Sequence, residues 1–207
     1  MNWALDPNIR LENLPDITRS FTVSNKAATY GVFLTNVLGT LQAFIEHFPI
    51  MAGFIFDGQR GIYGGGIPDY SFTNTIRDIT YFIVEMKSDW NLNINEDIVT
   101  EYCHNQDEQI VGGTSPTPLV HAIRQVFGYL GEGKLRYGIL STYERTWFLY
   151  RPPDDPGCLQ ISNCVERTAT SPHLFHCFAY MMTLSLDCHD SPSPPPSPSP
   201  PPPLSPH

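Results

Sequence analysis

Two acidic residues and a lysine have a spacing that would bring them together on two neighbouring strands, where they could bind a divalent cation. Pro68-Asp69 is followed, after 15 intervening residues, by Glu85-Met-Lys87. Side chains at positions i and i+2 of a strand share a face, so Glu85 and Lys87 would point the same way. Two carboxylates from neighbouring strands can hold such a cation beside water and a phosphate, and the lysine can orient the attacking water. The pattern predicts metal-assisted phosphodiester hydrolysis; the alternative is an exposed cross-strand ion pair.

A second polar group follows in Gln125-Val-Phe-Gly-Tyr129. Positions i and i+4 lie on one face of a helix, so Gln125 and Tyr129 would be adjacent, with His121 one turn earlier. The amide and the hydroxyl could then bridge the lysine to a phosphate oxygen. The alternative is a helix boundary at which Tyr129 packs its ring and exposes its hydroxyl to water.

The elements that must position these residues follow from hydrophobic periodicity and turn residues. Apolar spacing predicts helices over 26–48, 118–130 and 172–186. Alternating or β-branched runs predict strands over 53–57, 80–87, 135–141 and 146–150, with 67–72 extended after a glycine-rich turn at 61–66. The polar segment 91–117 is expected to be an inserted loop with room for one short helix. This order predicts an α/β fold, a mixed sheet with helices packed on it, with Trp147 and Phe148 in its core.

Together, the two groups resemble the PD-(D/E)XK nuclease superfamily, whose fold is called restriction-endonuclease-like. In that fold a helix precedes three strands that carry the acid and the E-x-K pattern, and one large branch has Q-x-x-x-Y on a later helix. The matching positions here are Asp69, Glu85, Lys87, Gln125 and Tyr129. The resemblance implies a mixed central sheet flanked by helices, and hydrolysis of nucleic acid with DNA favoured over RNA.

The same resemblance implies the role of each residue. Asp69, Glu85 and the backbone carbonyl of Met86 would bind Mg²⁺ or Mn²⁺, and Lys87 would position the water. Gln125 and Tyr129 would steady this lysine and the nucleic-acid backbone. Members of the superfamily often carry a further acid on the first helix, for which Glu46 is the candidate.

A narrower resemblance covers about residues 30–186. The segments 123–129, 137–149 and 174–184 are similar to the nuclease-like part of crinkler-type and fungal kinase-linked proteins, where a kinase-like domain commonly follows. This chain has no kinase signature and no P-loop of its own. The resemblance therefore leaves a second possibility, a catalytically inactive interaction module that adjoins a kinase-like domain in longer proteins.

The chain divides by composition into an N-terminal arm (1–25), the nuclease-like domain (26–190) and a tail (191–207). In the tail, 10 of 17 residues are proline and 5 are serine, which predicts a disordered, extended linker. The alternative is a ligand for an SH3 or WW domain or a Ser-Pro phosphorylation site. Five cysteines without a CxxC pattern, and no secretory signal, predict reduced thiols inside the cell, in nucleus or cytoplasm. The apolar stretches are too short and interrupted to predict a membrane span.

The 207 residues carry a net charge of −9, which argues against a protein that simply coats nucleic acid. The charge is unevenly distributed, because residues 115–151 hold 5 basic and 2 acidic side chains. The basic ones are Arg124, Lys134, Arg136, Arg145 and Arg151. If the chain is a nuclease, the nucleic-acid backbone is expected along this stretch, with weak affinity at physiological salt.

Overall fold

The computed structural model of this chain describes residues 26–58, 66–92, 94, 97–112 and 115–190. The expected arm 1–25, most of the turn at 61–66, and the tail 191–207 lie outside the described residues. The helices are α1 (Lys26–Phe33), α2 (Gly39–Ile45), α3 (Ile98–Gly112), α4 (Pro118–Glu132) and α5 (Leu174–Asp187). The strands are β1 (Phe54–Asp57), β2 (Tyr70–Asn74), β3 (Ile79–Met86), β4 (Tyr137–Ser141), β5 (Arg145–Tyr150), β6 (Gln160–Ile161) and β7 (Val165–Glu166).

One mixed sheet joins the seven strands, in the order β1-β2-β3-β4-β5-β6, with β7 also paired to β5. All neighbours are antiparallel except β3 and β4, which run parallel. A parallel pair needs a long crossover, and α4 lies in the connection that returns the chain from β3 to β4. The predicted fold class, a mixed central sheet flanked by helices, is confirmed.

The two faces of the sheet are covered by different helices. On one face, α1, α2 and α5 pack through residues such as Phe33, Leu41 and Phe178. On the other face, α4 packs through residues such as Val126. Strand β3 alternates between these layers, because Phe82, Val84 and Met86 belong to the first cluster and Ile83 belongs to the second.

The first predicted helix is present, and it contains an irregular turn. Between α1 and α2 the segment Leu34–Leu38 is π-helical, and Glu46 caps the end of α2. By length and composition alone, the 19 residues Ala27–Ile45 could cross a membrane, contrary to the expectation from short apolar runs. A helix in a protein core meets the same criterion, and here Val37, Leu38 and their apolar neighbours are buried against the sheet.

The expectation of an inserted loop over 91–117 is wrong in its main part, because α3 is a helix of 15 residues. Its start is stabilised by Asp97, whose Oδ1 accepts hydrogen bonds from the backbone N–H groups of Val99 and Thr100. Ile98 is 3% exposed and joins the α4 layer. The remaining predicted helices and strands are present with small shifts of their ends. Trp147 and Phe148 pack in opposite layers of the core, as expected.

Candidate active site

Strands β2 and β3 bring the three residues of the first pattern together. Tyr70 pairs with Val84 in the antiparallel register, so the preceding residue, Asp69, lies opposite Glu85. Lys87 follows β3 directly, and its Nζ lies 2.6 Å from Glu85 Oε1. The prediction that Glu85 and Lys87 share a face of the strand is confirmed. The pair is not an exposed surface pair, because the Glu85 side chain is only 4% exposed.

Helix α4 places the second group over the first. The helix begins with Thr117 as its cap and Pro118 in its first turn, and both residue types favour a helix start. Its apolar face meets β4 closely at Gly138, where a Cβ would lie 3.2 Å from Val126 Cγ1. This close approach holds the polar face of α4 at the end of β3, where Gln125 meets Lys87.

A continuous chain of hydrogen bonds results. Lys87 Nζ donates to Gln125 Oε1 at 2.9 Å, and Gln125 Nε2 donates to the Tyr129 hydroxyl at 2.7 Å. The Tyr129 hydroxyl in turn donates to the backbone carbonyl of Ile67 at 3.3 Å. Tyr129 is 5% exposed, so its ring is packed and its hydroxyl is also used. His121, one turn earlier on the helix, is exposed.

The carboxylate of Glu85 is buried, and its charge is only partly compensated by Lys87. Its Oε2 is buried and accepts no hydrogen bond from the described residues. Burial raises the pKa of the Glu85 carboxyl above its ordinary value, and the Asp69 carboxylate raises it further. The Lys87 ammonium and the Asp69 backbone N–H act in the opposite direction on this pKa. An orphaned carboxylate oxygen beside a second carboxylate is the arrangement that a bound cation would relieve.

Asp69 is held by two contacts of its own. Its Oδ2 accepts hydrogen bonds from the Met86 backbone N–H at 2.7 Å and from the Tyr30 hydroxyl at 3.0 Å. The Tyr30 hydroxyl is also 3.0 Å from the Met86 carbonyl oxygen. Burial, followed by the nearby Asp69 carboxylate, raises the pKa of Tyr30 above its ordinary value, so this phenol stays protonated.

Tyr30 was not among the residues that the sequence patterns predicted, because it belongs to no spaced motif. Glu46, the weak candidate from the same helical region, lies elsewhere. Its side chain is exposed and accepts a hydrogen bond from Gln42, which also donates to the carbonyl of Phe54. Phe54 pairs with Asn74, at the end of β2 away from Asp69.

The donor set fits a hard cation with an incomplete protein shell. In the described part of the chain, no cluster of three or more Asp, Glu, His or Cys side chains could hold a metal ion. The oxygens of Asp69, Glu85 and the Met86 carbonyl are the ones that could hold a cation here, with water and substrate completing the shell. Mg²⁺ commonly binds in this way, through one or two carboxylates and several waters.

The basic stretch 115–151 offers less free charge than its composition suggested. Arg145 Nη2 donates to Asp89 Oδ1 at 2.8 Å, and Arg151 is completely buried. Arg136 donates from Nε to a backbone carbonyl. Within the stretch where the nucleic-acid backbone is expected, the side chains of Arg145 and Arg151 are thus used by contacts inside the fold. The exposed basic side chains of the stretch are Arg124 and Lys134.

This chain was compared with known proteins by sequence and by structure. No protein-family profile and no curated protein sequence matches it. Among solved structures, the type IIG restriction endonuclease BpuSI matches 79% of this chain with a TM-score of 0.37 and 14% sequence identity. The matched part is 16% of that chain, so the endonuclease is a much larger protein.

Proposed function

We propose that this chain hydrolyses phosphodiester bonds in nucleic acid, with DNA as the favoured substrate, in a reaction that depends on Mg²⁺ or Mn²⁺. The observation that carries the proposal is the convergence of Asp69, Glu85, Lys87 and Gln125 at one end of the sheet, with a buried Glu85 oxygen that lacks a partner in the described structure. A purely structural ion pair between Glu85 and Lys87 would require neither a second carboxylate beside Glu85 nor a glutamine bonded to Lys87.

In this proposal Asp69, Glu85 and the Met86 carbonyl hold the cation, which stabilises the negative charge that develops on the phosphate. Lys87 is fixed between Glu85 and Gln125, and the Gln125–Tyr129 contact restricts the amide in turn. A lysine held in this way can donate to the attacking water or to a phosphate oxygen without reorganising during the reaction. Gln125 and Tyr129 therefore act by positioning Lys87.

Substrate binding in this proposal relies on few charges. Arg124 is exposed and precedes Gln125 on α4, so it is the basic side chain next to the site in sequence. Each phosphate contact adds to the salt dependence of binding, and a small number of contacts gives weak binding at physiological salt. We therefore expect cleavage at low salt to be much more efficient than at 150 mM salt, where roughly an 8 Å Debye length screens the contacts.

The test is cleavage of plasmid and of single-stranded DNA and RNA with Mg²⁺ or Mn²⁺ by the full chain. Asp69→Asn and Lys87→Ala are compared with Asp78→Asn and Arg77→Ala, which remove charges of the same sign in the exposed turn at the opposite end of the β2–β3 hairpin. We expect metal-dependent cutting by the wild type and by both control variants, and loss of cutting in both site variants. Cutting that survives Asp69→Asn would contradict the proposal.

A second candidate function, a catalytically inactive module that adjoins a kinase-like domain, is favoured by one contact. The Tyr30 hydroxyl already bonds two of the oxygens that a cation would use. If the chain is such a module, the folded wild type will neither bind Mn²⁺ nor cleave nucleic acid. The proline-rich tail would then be tested as a linker, or as a ligand for SH3 or WW domains, by binding assays with those domains.

A further inference from the structure

The placement of Tyr30 sets it apart from the other residues around the candidate metal site. Its hydroxyl oxygen lies 3.0 Å from Asp69 Oδ2 and 3.0 Å from the Met86 carbonyl oxygen. A phenol has a single proton, so it serves these two oxygens as a shared donor. Asp69 immediately precedes β2 and Met86 ends the adjacent β3, and the Tyr30 hydroxyl contacts both, as a bridging cation would.

A cation and this hydroxyl cannot occupy the same space. Mg²⁺ binds its oxygen ligands at about 2.1 Å, which is much closer than the contacts that the hydroxyl makes. A protonated phenol that donates to both oxygens also leaves neither of them fully available to an ion. A cation that bridges Asp69 Oδ2 and the Met86 carbonyl oxygen therefore competes with the hydroxyl for both contacts.

The helix that carries Tyr30 is packed into the core through Phe33 and changes to π-helical geometry just beyond that residue. Tyr30 lies one turn before the π-helical segment Leu34–Leu38, and π-helical turns inside α-helices are a frequent feature of functional sites. Beyond this segment α2 is anchored in the core by Leu41 and Ile45. Beside Tyr30, Gly31 is exposed, and a Cβ there would meet no described atom within 4 Å.

We propose that Tyr30 is a gate on the cation site: its hydroxyl holds Asp69 and the Met86 carbonyl together when no cation is bound, and it withdraws when a cation binds. The proposal rests on the metal-dependent function given above. It makes Tyr30 a positioning residue that sets metal affinity through competition. The ring packing of the side chain is separate from this role, because only the hydroxyl competes.

The test is calorimetric titration of the full chain with Mn²⁺, comparing wild type with Tyr30→Phe. Tyr180→Phe, a change on the exposed face of α5, is the matched control, and Asp69→Asn removes a proposed ligand. Because phenylalanine keeps the ring and loses the competing hydroxyl, we expect Tyr30→Phe to bind Mn²⁺ about tenfold more tightly, or about 1.4 kcal/mol. Tyr180→Phe is expected to bind like the wild type, and Asp69→Asn to bind little or none.

Thermal unfolding with and without Mn²⁺ separates the gate from a structural role. Tyr30→Phe is expected to melt below the wild type without metal and to show the larger stabilisation when metal is added, because tighter binding stabilises more. If the wild type binds Mn²⁺ and Tyr30→Phe binds it with equal or weaker affinity, the gate is overturned and the metal site stands. If neither protein binds Mn²⁺ while both are folded, the gate and the metal-dependent function fail together.

Discussion

Replacing Lys87 with alanine removes the cation that compensates a buried carboxylate. The Glu85 side chain is 4% exposed and the Lys87 side chain 19%, so the pair is largely shielded from water. Removal of one partner from a buried ion pair costs about 3–5 kcal/mol, and the partial exposure of Lys87 places the expected cost near about 3 kcal/mol at pH 8. For a domain of this size, that corresponds to a decrease in melting temperature of roughly 6–12 °C.

The loss is expected to depend on pH in a defined direction. The pKa of Glu85 is already raised by burial and by Asp69, and Lys87 is one of the groups that lower it. Without Lys87 this pKa rises further, so the folded variant holds a proton that the unfolded chain releases. The stability that this bound proton contributes to the Lys87→Ala variant is fully present below the pKa of Glu85 in the unfolded chain. It is lost as pH rises through the higher pKa of Glu85 in the folded chain. At low pH the remaining cost is the lost charge-assisted hydrogen bond to Gln125, about 1.5 kcal/mol.

The measurement is urea unfolding of the wild type and Lys87→Ala at pH 5 and pH 8, followed by circular dichroism. A double variant, Lys87→Ala with Glu85→Gln, removes the uncompensated charge and is expected to recover most of the loss at pH 8. Arg77→Ala, at the far end of the hairpin, is expected to stay within about 0.5 kcal/mol of the wild type. Equal destabilisation by Lys87→Ala at both pH values, or no recovery in the double variant, would refute the reasoning.

Three further predictions concern the surroundings of this pair. Gln125→Ala removes a charge-assisted hydrogen bond to Lys87 that contributes about 1.5–3 kcal/mol. We expect kcat to fall at least tenfold, while the Mn²⁺ affinity measured by calorimetry stays unchanged. Gly138→Ala pushes α4 from the sheet, because its Cβ would lie 3.2 Å from a helix side chain; about 1–3 kcal/mol lower stability in urea unfolding is expected, with reduced cleavage. Arg124→Glu is expected to weaken DNA binding in fluorescence titrations and reduce the salt slope by about 1, whereas Arg77→Glu is expected to leave the slope unchanged.

The part of the site that could be predicted from the sequence is the part set by local periodicity. The two-residue repeat of β3 determines that Glu85 and Lys87 point the same way, and the helical repeat of α4 does the same for Gln125 and Tyr129. The resemblance to a known fold then indicated that the two groups meet. The Lys87–Gln125 hydrogen bond shows that they do.

Tyr30 could not be found by the same reasoning. Its two partners are 39 and 56 residues away in the chain, and its contact with them depends on how α1 crosses the sheet. Nothing in the spacing of the helix distinguishes Tyr30 from other half-buried aromatic residues. Helix α3 was missed for a different reason, because its polar sequence has a weak apolar stripe and its start depends on a single capping residue, Asp97.

The basic stretch shows why charge counted along a sequence overestimates the charge available to a ligand. Arg145 is paired with Asp89 in the turn after β3, and Arg151 is completely buried and donates to the Leu135 carbonyl, so both side chains are already used within the fold. The same contacts support the site, since this turn begins two residues after Lys87. Arg145 and Arg151 are therefore structural residues of the fold, and the exposed Arg124 is the one whose removal is expected to change the salt dependence of binding.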